Sequence, residues 1–399
     1  MTWYNDGGIT MKRWKRILPF GVASLMLAAT PLQALAASPE FSRTAEEWAR
    51  LQDDHIDYDE LADLVHEYNA TVQKNQIDLN EFRKEYGDTN EKWANRYREL
   101  ANEIKNNIGY PDSDDLGYAS AMMAIIRQES EIETMNKNAD EAVDDLLIKS
   151  LTYQLAEVTL VSVAQSNMIS YYRNQVQQQV DQAKQSLLQE TYQSVVTKKN
   201  NGMATEVDVL TAQENLRSMD QALQSNASSI ENARQKLQVM LGWKFDASPE
   251  IGALPSVDMA VITAMNPAED KAAALENNYT LKINKRKREN AKFQDTIDTL
   301  DKTIKENEQN IGAALSSSYQ SVLAAKTAYD LAVAQAQLEQ QNFQSVERKY
   351  SVGNISRLDY LSQKNTTETA HLNVRIAEMS LLQAVQNYQW AVNGLANAS

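Results

Sequence analysis

The sequence predicts an all-α fold: two tandem repeats of very long antiparallel coiled-coil helical hairpins. Three observations carry that prediction. Glycine (12) and proline (7) are scarce in 399 residues, while Ala, Gln, Asn, Glu, Leu and Lys dominate. Such a mix favours long helices and leaves little material for tight turns or strands. Apolar residues step by sevens over long stretches, as in coiled-coil seams. One turn pattern also occurs twice, about 151 residues apart: "NGMATEVDVL" at 201–210 and "VGNISRLDYL" at 352–361. Repetition at a fixed offset marks a repeated unit of structure.

At the N-terminus, basic "MKRWKR" (11–16) precedes an apolar core that ends in Ala34-Leu35-Ala36. This is the form of a cleavable export signal, with cleavage expected after Ala36 and translation starting at Met1 or Met11. The chain therefore divides into a leader (1–36), a first repeat (37–254) and a second repeat (255–399). No later run reaches about 18 unbroken apolar residues, so no membrane-spanning helix is expected after the leader. The formal net charge is −15, and losing a basic leader makes the remainder more acidic still. Nucleic acid is thereby disfavoured as a partner, since phosphate binding needs clustered Lys and Arg. The basic run "KINKRKREN" (282–290) reads as a solvated helix face.

Cysteine is absent, and the three histidines (His55, His66, His371) are scattered, so no metal or cofactor is expected. There is no phosphate-binding loop, paired-His helix motif or nucleophile elbow, which excludes the common enzyme signatures.

The repeats begin alike. "DYDELADLVHEYNATV" (57–72) resembles "NPAEDKAAALENNYTL" (266–281) at an offset of about 209 residues. Asp57 with Glu60, and Asn266 with Glu269, have capping-box spacing; Pro267 suits the first helical position, and Asn69 matches Asn278. Since the turns are offset by only about 151, the first repeat holds roughly 58 extra residues before its turn. "IGYPDSDDLGY" (108–118) is the strong turn in that region, and one helix of roughly 120 Å is expected from about 117 to 199. In the second repeat Gly312 is the only glycine available for a reversal before the turn. After each turn a helix of about 40 residues runs to "VMLGW" (239–243) or "AVNGL" (391–395). Val209, Leu216, Leu223, Ile230 and Leu237 form one seam; Leu315, Val322, Tyr329, Ala336, Phe343 and Tyr350 form another. "FDASPEIGALPSVDM" (245–259) reads as the linker.

The repeated turn has a local explanation. Gly202 and Gly353 end a helix in the left-handed conformation. Thr205 and Ser356 cap the next helix, with Asp208 and Asp359 at its third position, facing the positive end of the helix dipole.

"YSVG" (350–353), "VDVLTAQ" (207–213), "LQVMLGW" (237–243) and "LENN" (275–278) resemble the TolC-type outer-membrane efflux family over about residues 57–399. The resemblance implies a homotrimer whose six hairpins form a twelve-helix hollow α-barrel. It implies an exit duct that docks to a periplasmic adaptor and an inner-membrane pump to export small molecules or proteins. Gly202, Met203, Ala204 and Thr205, with Gly353, Asn354, Ile355 and Ser356, are then adaptor-contacting tips. Asp359 lines the narrow end as a three-fold carboxylate ring that favours cations, and Tyr350 reaches Asp208 of the neighbouring hairpin to close the gate. An exported protein of the cell envelope, in the outer membrane or periplasm, is implied.

One departure stands out: family members insert paired amphipathic strands that build a membrane barrel. None is legible here, and "TLVSVAQSNMISYY" (159–172) reads as helix. The barrel is expected to be reduced or absent, which leaves membrane contact at the end opposite the tips open. A secreted coiled-coil scaffold or envelope regulator shares the leader, acidity and heptads, but does not need two matched tips.

Overall fold

A computed structural model describes residues 43–399 except 115; the expected leader lies outside them. The helices are α1 (Ala45–Leu51), α2 (Leu61–Tyr68), α3 (Ala70–Tyr86), α4 (Asn90–Asn106), α5 (Tyr118–Glu141) and α6 (Leu146–Asn200). They continue with α7 (Glu206–Met240), α8 (Met259–Ala264), α9 (Pro267–Asn277), α10 (Tyr279–Asn290), α11 (Gln294–Ser351) and α12 (Arg357–Trp390). Residues 44–399 form one compact unit. Among the described residues the only strands are β1 (His55–Ile56) and β2 (Glu250–Ile251), paired in parallel. The fold is thus all-α, and residues 159–172 lie inside α6.

Two antiparallel hairpins dominate, α6–α7 and α11–α12. With 55 and 58 residues, α6 and α11 are each more than about 80 Å long at 1.5 Å per residue. The heptad positions of α7 and α11 point into the hairpin seams. Val209, Leu237, Leu315, Val322 and Ala336 are buried there. Asn226, the polar exception in the α7 seam, donates its side-chain amide to the Asn174 carbonyl of α6, so its burial leaves no lost hydrogen bond.

The repeat starts correspond through two buried asparagines. Asn69 caps α3 and donates to the Met240 carbonyl at the end of α7. Asn278 caps α10 and donates to the Gly394 and Ala396 carbonyls beyond α12. Each ties the entry of its repeat to the end of its return helix. Two apolar clusters surround these knots, one on Leu61, Leu64, Met168 and Leu237, the other on Leu281, Ile311, Leu315 and Leu381. Trp390 of the second repeat packs in the first repeat's cluster and donates to Gln165 at 2.8 Å.

Several expectations need correction. The helix expected from 117 to 199 breaks at 142–145, with neither glycine nor proline. Asp145 caps α6, and its fully buried carboxylate is held by Arg286 at 2.6 Å and Asn290 at 2.9 Å. Asn90 donates to the Ala142 and Asp144 carbonyls, and Asn290 to that of Val143. Tertiary hydrogen bonds therefore satisfy the backbone that the break exposes. In the second repeat the reversal falls at 291–293, while Gly312 lies within α11. The linker is pinned rather than free: β2 pairs with β1, and the Tyr172 hydroxyl donates to the Ile251 carbonyl.

At the second repeat start, Asn266 caps α9 with Pro267 in its first turn, as expected. The carboxylate that answers its backbone N–H belongs to Asp270, however, not Glu269. Asp57 makes no side-chain cap; a 3₁₀ turn follows it, and Glu60 is buried against Arg50. By length and average apolarity α6 holds one window able to cross a membrane. A count of unbroken apolar runs misses it, because charged residues such as Lys149 and Glu157 punctuate the helix. α6 packs against α2, α3, α7, α10 and α12 as a bundle helix does.

Candidate functional site

The two hairpin turns have the same hydrogen-bonded construction. At the first, Gly202 (φ 71°) donates to the Lys199 carbonyl and Met203 to that of Lys198. At the second, Gly353 (φ 76°) donates to Tyr350 and Asn354 to Lys349. Both are Schellman closures, which use a left-handed glycine to satisfy the last helix carbonyls. A Cβ at either glycine would meet nothing within 4 Å, so glycine is needed there for its backbone and not for space.

The exit from each turn is also shared. The Asp208 amide donates to Thr205 Oγ1 at 3.2 Å, and the Thr205 amide and hydroxyl each donate to the Asp208 carboxylate at 2.7 Å. At the other tip the Asp359 amide donates to Ser356 Oγ at 3.2 Å, and that hydroxyl donates to the Asp359 carboxylate at 2.7 Å. The Thr205 hydrogen bonds hold the Asp208 carboxyl below its ordinary range by stabilising the charged form. Every turn residue singled out in the sequence lies at a tip: Gly202, Met203, Ala204 and Thr205 on one, Gly353, Asn354, Ile355 and Ser356 on the other. Met203, Val207 and Val352 are each about 70% exposed (69%, 70% and 69%), an apolar surface that intrachain packing does not use.

Asp359 is exposed beside its cap. Tyr350 and Asp208 are not brought together within the chain. Tyr350 stacks on Tyr360 with centroids 4.5 Å apart and planes 17° from parallel, and Asp208 is engaged by Thr205. Two pairings at the tips have no local sequence signature. Arg357, the first residue of α12, pairs with Glu190 of α6 at 3.0 Å, and Lys199 pairs with Glu206 across the first turn.

The Arg357 pair is the upper end of a polar seam between α6 and α12. Below it lie Arg375 with Gln179 (3.4 Å), Gln383 with Ser166 (3.1 Å) and the buried Trp390–Gln165 bond. With α6 on α7, α12 on α6 and α11 on α12, the long helices form a layer in the order α7–α6–α12–α11. The outer helices carry many of the exposed large apolar residues: Val207, Leu210 and Val239 on α7, and Leu323, Leu331, Leu338 and Tyr350 on α11. Inner α12 carries none of them.

No protein-family model and no curated protein matches the sequence. Solved structures do share its fold. The outer-membrane channel OprN superposes with a TM-score of 0.55 at 12% identity, covering 94% of this chain and 98% of that one. A membrane protein from Pseudomonas aeruginosa superposes with a TM-score of 0.54 at 11% identity, covering 91% and 97%. The chain thus has the fold of an outer-membrane channel over nearly its whole length.

Proposed function

We propose that the chain belongs to the TolC-type outer-membrane efflux family and acts as a homotrimeric helical exit duct, docked at its tips to a periplasmic adaptor and through it to an inner-membrane pump. The observation that carries this reading is the layer of two hairpins with matched tips and apolar outer edges. An open layer with unlike edges satisfies itself by placing α7 of one copy against α11 of the next. Such a head-to-tail contact closes into a ring when the rotation allows. Three copies give twelve long helices around a central space. The division into repeats at 254/255, the export leader and an envelope location belong to the same reading, as does a duct without catalytic activity.

Within it, the exposed tip residues, Met203 and Val352 among them, meet the adaptor. Asp359 of three copies forms a carboxylate ring that admits cations and disfavours anions. Tyr350 and Asp208 act at the gate by exchanging their intrachain partners when neighbouring hairpins meet.

The test is electron microscopy of the purified protein in negative stain, with its mass measured by light scattering. A hollow cylinder with three times the chain mass is expected. A solid rod of monomeric or dimeric mass, with and without detergent, overturns the duct and leaves a coiled-coil scaffold of the envelope.

A further inference from the structure

The 58 or so extra residues of the first repeat are largely accounted for by α4, α5 and their connection. This hairpin leaves the body at the start of α6 and packs on little besides itself and α3. Its base is fixed. Asn90 holds the carbonyls of the α5–α6 break, and Phe82, Tyr86, Trp93 and Tyr97 form a ladder with centroids 4.6 to 6.2 Å apart. A projecting arm with a rigid base presents its far end in a set direction.

That far end is apolar where a solvated arm should not be. Along α5, Ile125 and Ala139 are buried in the seam with α4, and from 127 onward the exposed positions are polar. From 118 to 126, "YASAMMAII", the helix is apolar on nearly all sides. Tyr118, Met123 and Ile126 are exposed there, joined by Tyr110 and Leu116 of the connection. A helix segment apolar all round calls for cover on its open side.

We propose that this apolar belt is covered by the same hairpin of neighbouring copies, so that the α4–α5 hairpins form a helical collar at the end of the duct opposite the tips. The inference rests on the trimeric reading above. Charge decides against a lipid occupant. Beyond the belt, at the apex, Asp112 and Asp114 are exposed, and end-on insertion would drag these carboxylates into the bilayer. The nine residues from 118 to 126 extend only about 13 Å, against a hydrocarbon core of about 30 Å. Lateral contact between copies covers the belt and leaves the apex in water. The arms are also complementary: α4 has four basic and three acidic residues, α5 two basic and five acidic. Setting α5 of one copy against α4 of the next is the head-to-tail contact that a rotational ring repeats.

The chain has no cysteine, so each variant carries a single thiol and any cross-link joins two copies. Met123→Cys chains are co-assembled with Asn106→Cys chains and treated with a flexible bis-maleimide, with mass measured in parallel. The control pairs Glu133→Cys, lower on the same helix, with Asn106→Cys. All three positions are exposed, so folding is not at risk. The collar predicts a cross-linked yield on the order of tenfold above the control, since adjacent sites meet at millimolar effective concentration. Trimeric mass with equal yields overturns the collar and leaves the duct standing. Monomeric mass overturns both. Flotation of the protein on zwitterionic vesicles, lost in Met123→Glu and without cross-linking, assigns the belt to lipid and also overturns the collar.

Discussion

Two glycines with the same backbone hand do different jobs, and substitution separates them. Gly353→Ala forces a side chain into the left-handed region with open space around it, so a loss of about 1 kcal/mol is expected. Gly394 (φ 114°) closes α12, and its Cβ would lie 2.7 Å from the Asn277 carbonyl oxygen and 3.0 Å from the Tyr279 ring. Gly394→Ala should therefore cost about 3 kcal/mol, the backbone penalty plus overpacking. Thermal unfolding of both variants checks the order; equal shifts would contradict it. Asp208 gives a pH prediction. Its folded pKa is depressed, so its contribution to the first tip is present above the unfolded carboxylate pKa and is lost as pH falls through the folded value. The Thr205 amide resonance should report this, titrating below the ordinary aspartate range and no longer doing so in Asp208→Asn. The tip chemistry was legible in the sequence because capping and left-handed closure depend on residues within five positions. Arg357 with Glu190 was not, because 167 positions separate them and only the packing of α12 on α6 makes them neighbours.

The elements carry a second kind of legibility. Heptads named the seams of α7 and α11 correctly, since a seam is a local period. The break between α5 and α6 was hidden because its cause is tertiary: Asp145 is an ordinary aspartate until Arg286 and Asn290 arrive from the second repeat. Asp145→Ala should lose both the cap and the buried pair, about 3 kcal/mol together, and loosen the base of the α4–α5 arm. A fall in melting temperature with faster amide exchange across 140–150 is the expected result; unchanged exchange there would deny the residue its anchoring role. The α6–α12 seam is graded, from buried Trp390–Gln165 at one end to exposed Arg357–Glu190 near the tips. Arg357→Ala should leave stability within about 0.5 kcal/mol, as surface pairs do, yet broaden the distance distribution between spin labels on the two tips. The same distribution in both proteins would show that the pair holds nothing.

Across the whole molecule, the class and the two-hairpin plan were readable from composition, period and a repeated turn. The course of the extra residues in the first repeat was not, because α4 and α5 occupy a place where sequence offers only one clear reversal, at 108–118. The long layer α7–α6–α12–α11 could not be read at all, since helix order is a property of packing and leaves no local pattern. If the ring closes as proposed, Leu331→Glu on the α11 edge should reduce the trimeric fraction at micromolar protein; an unaltered mass distribution would place the closure elsewhere. The uneven insertion has a consequence for stoichiometry. Each chain offers two tips with the same Schellman closure and the same kind of cap, but only one α4–α5 arm. In a three-chain ring one rim is therefore nearly hexavalent and the other strictly trivalent. A ligand that reads the tips can bind in six copies if it tolerates the exchange of Thr205 for Ser356, whereas anything meeting the opposite rim is limited to three.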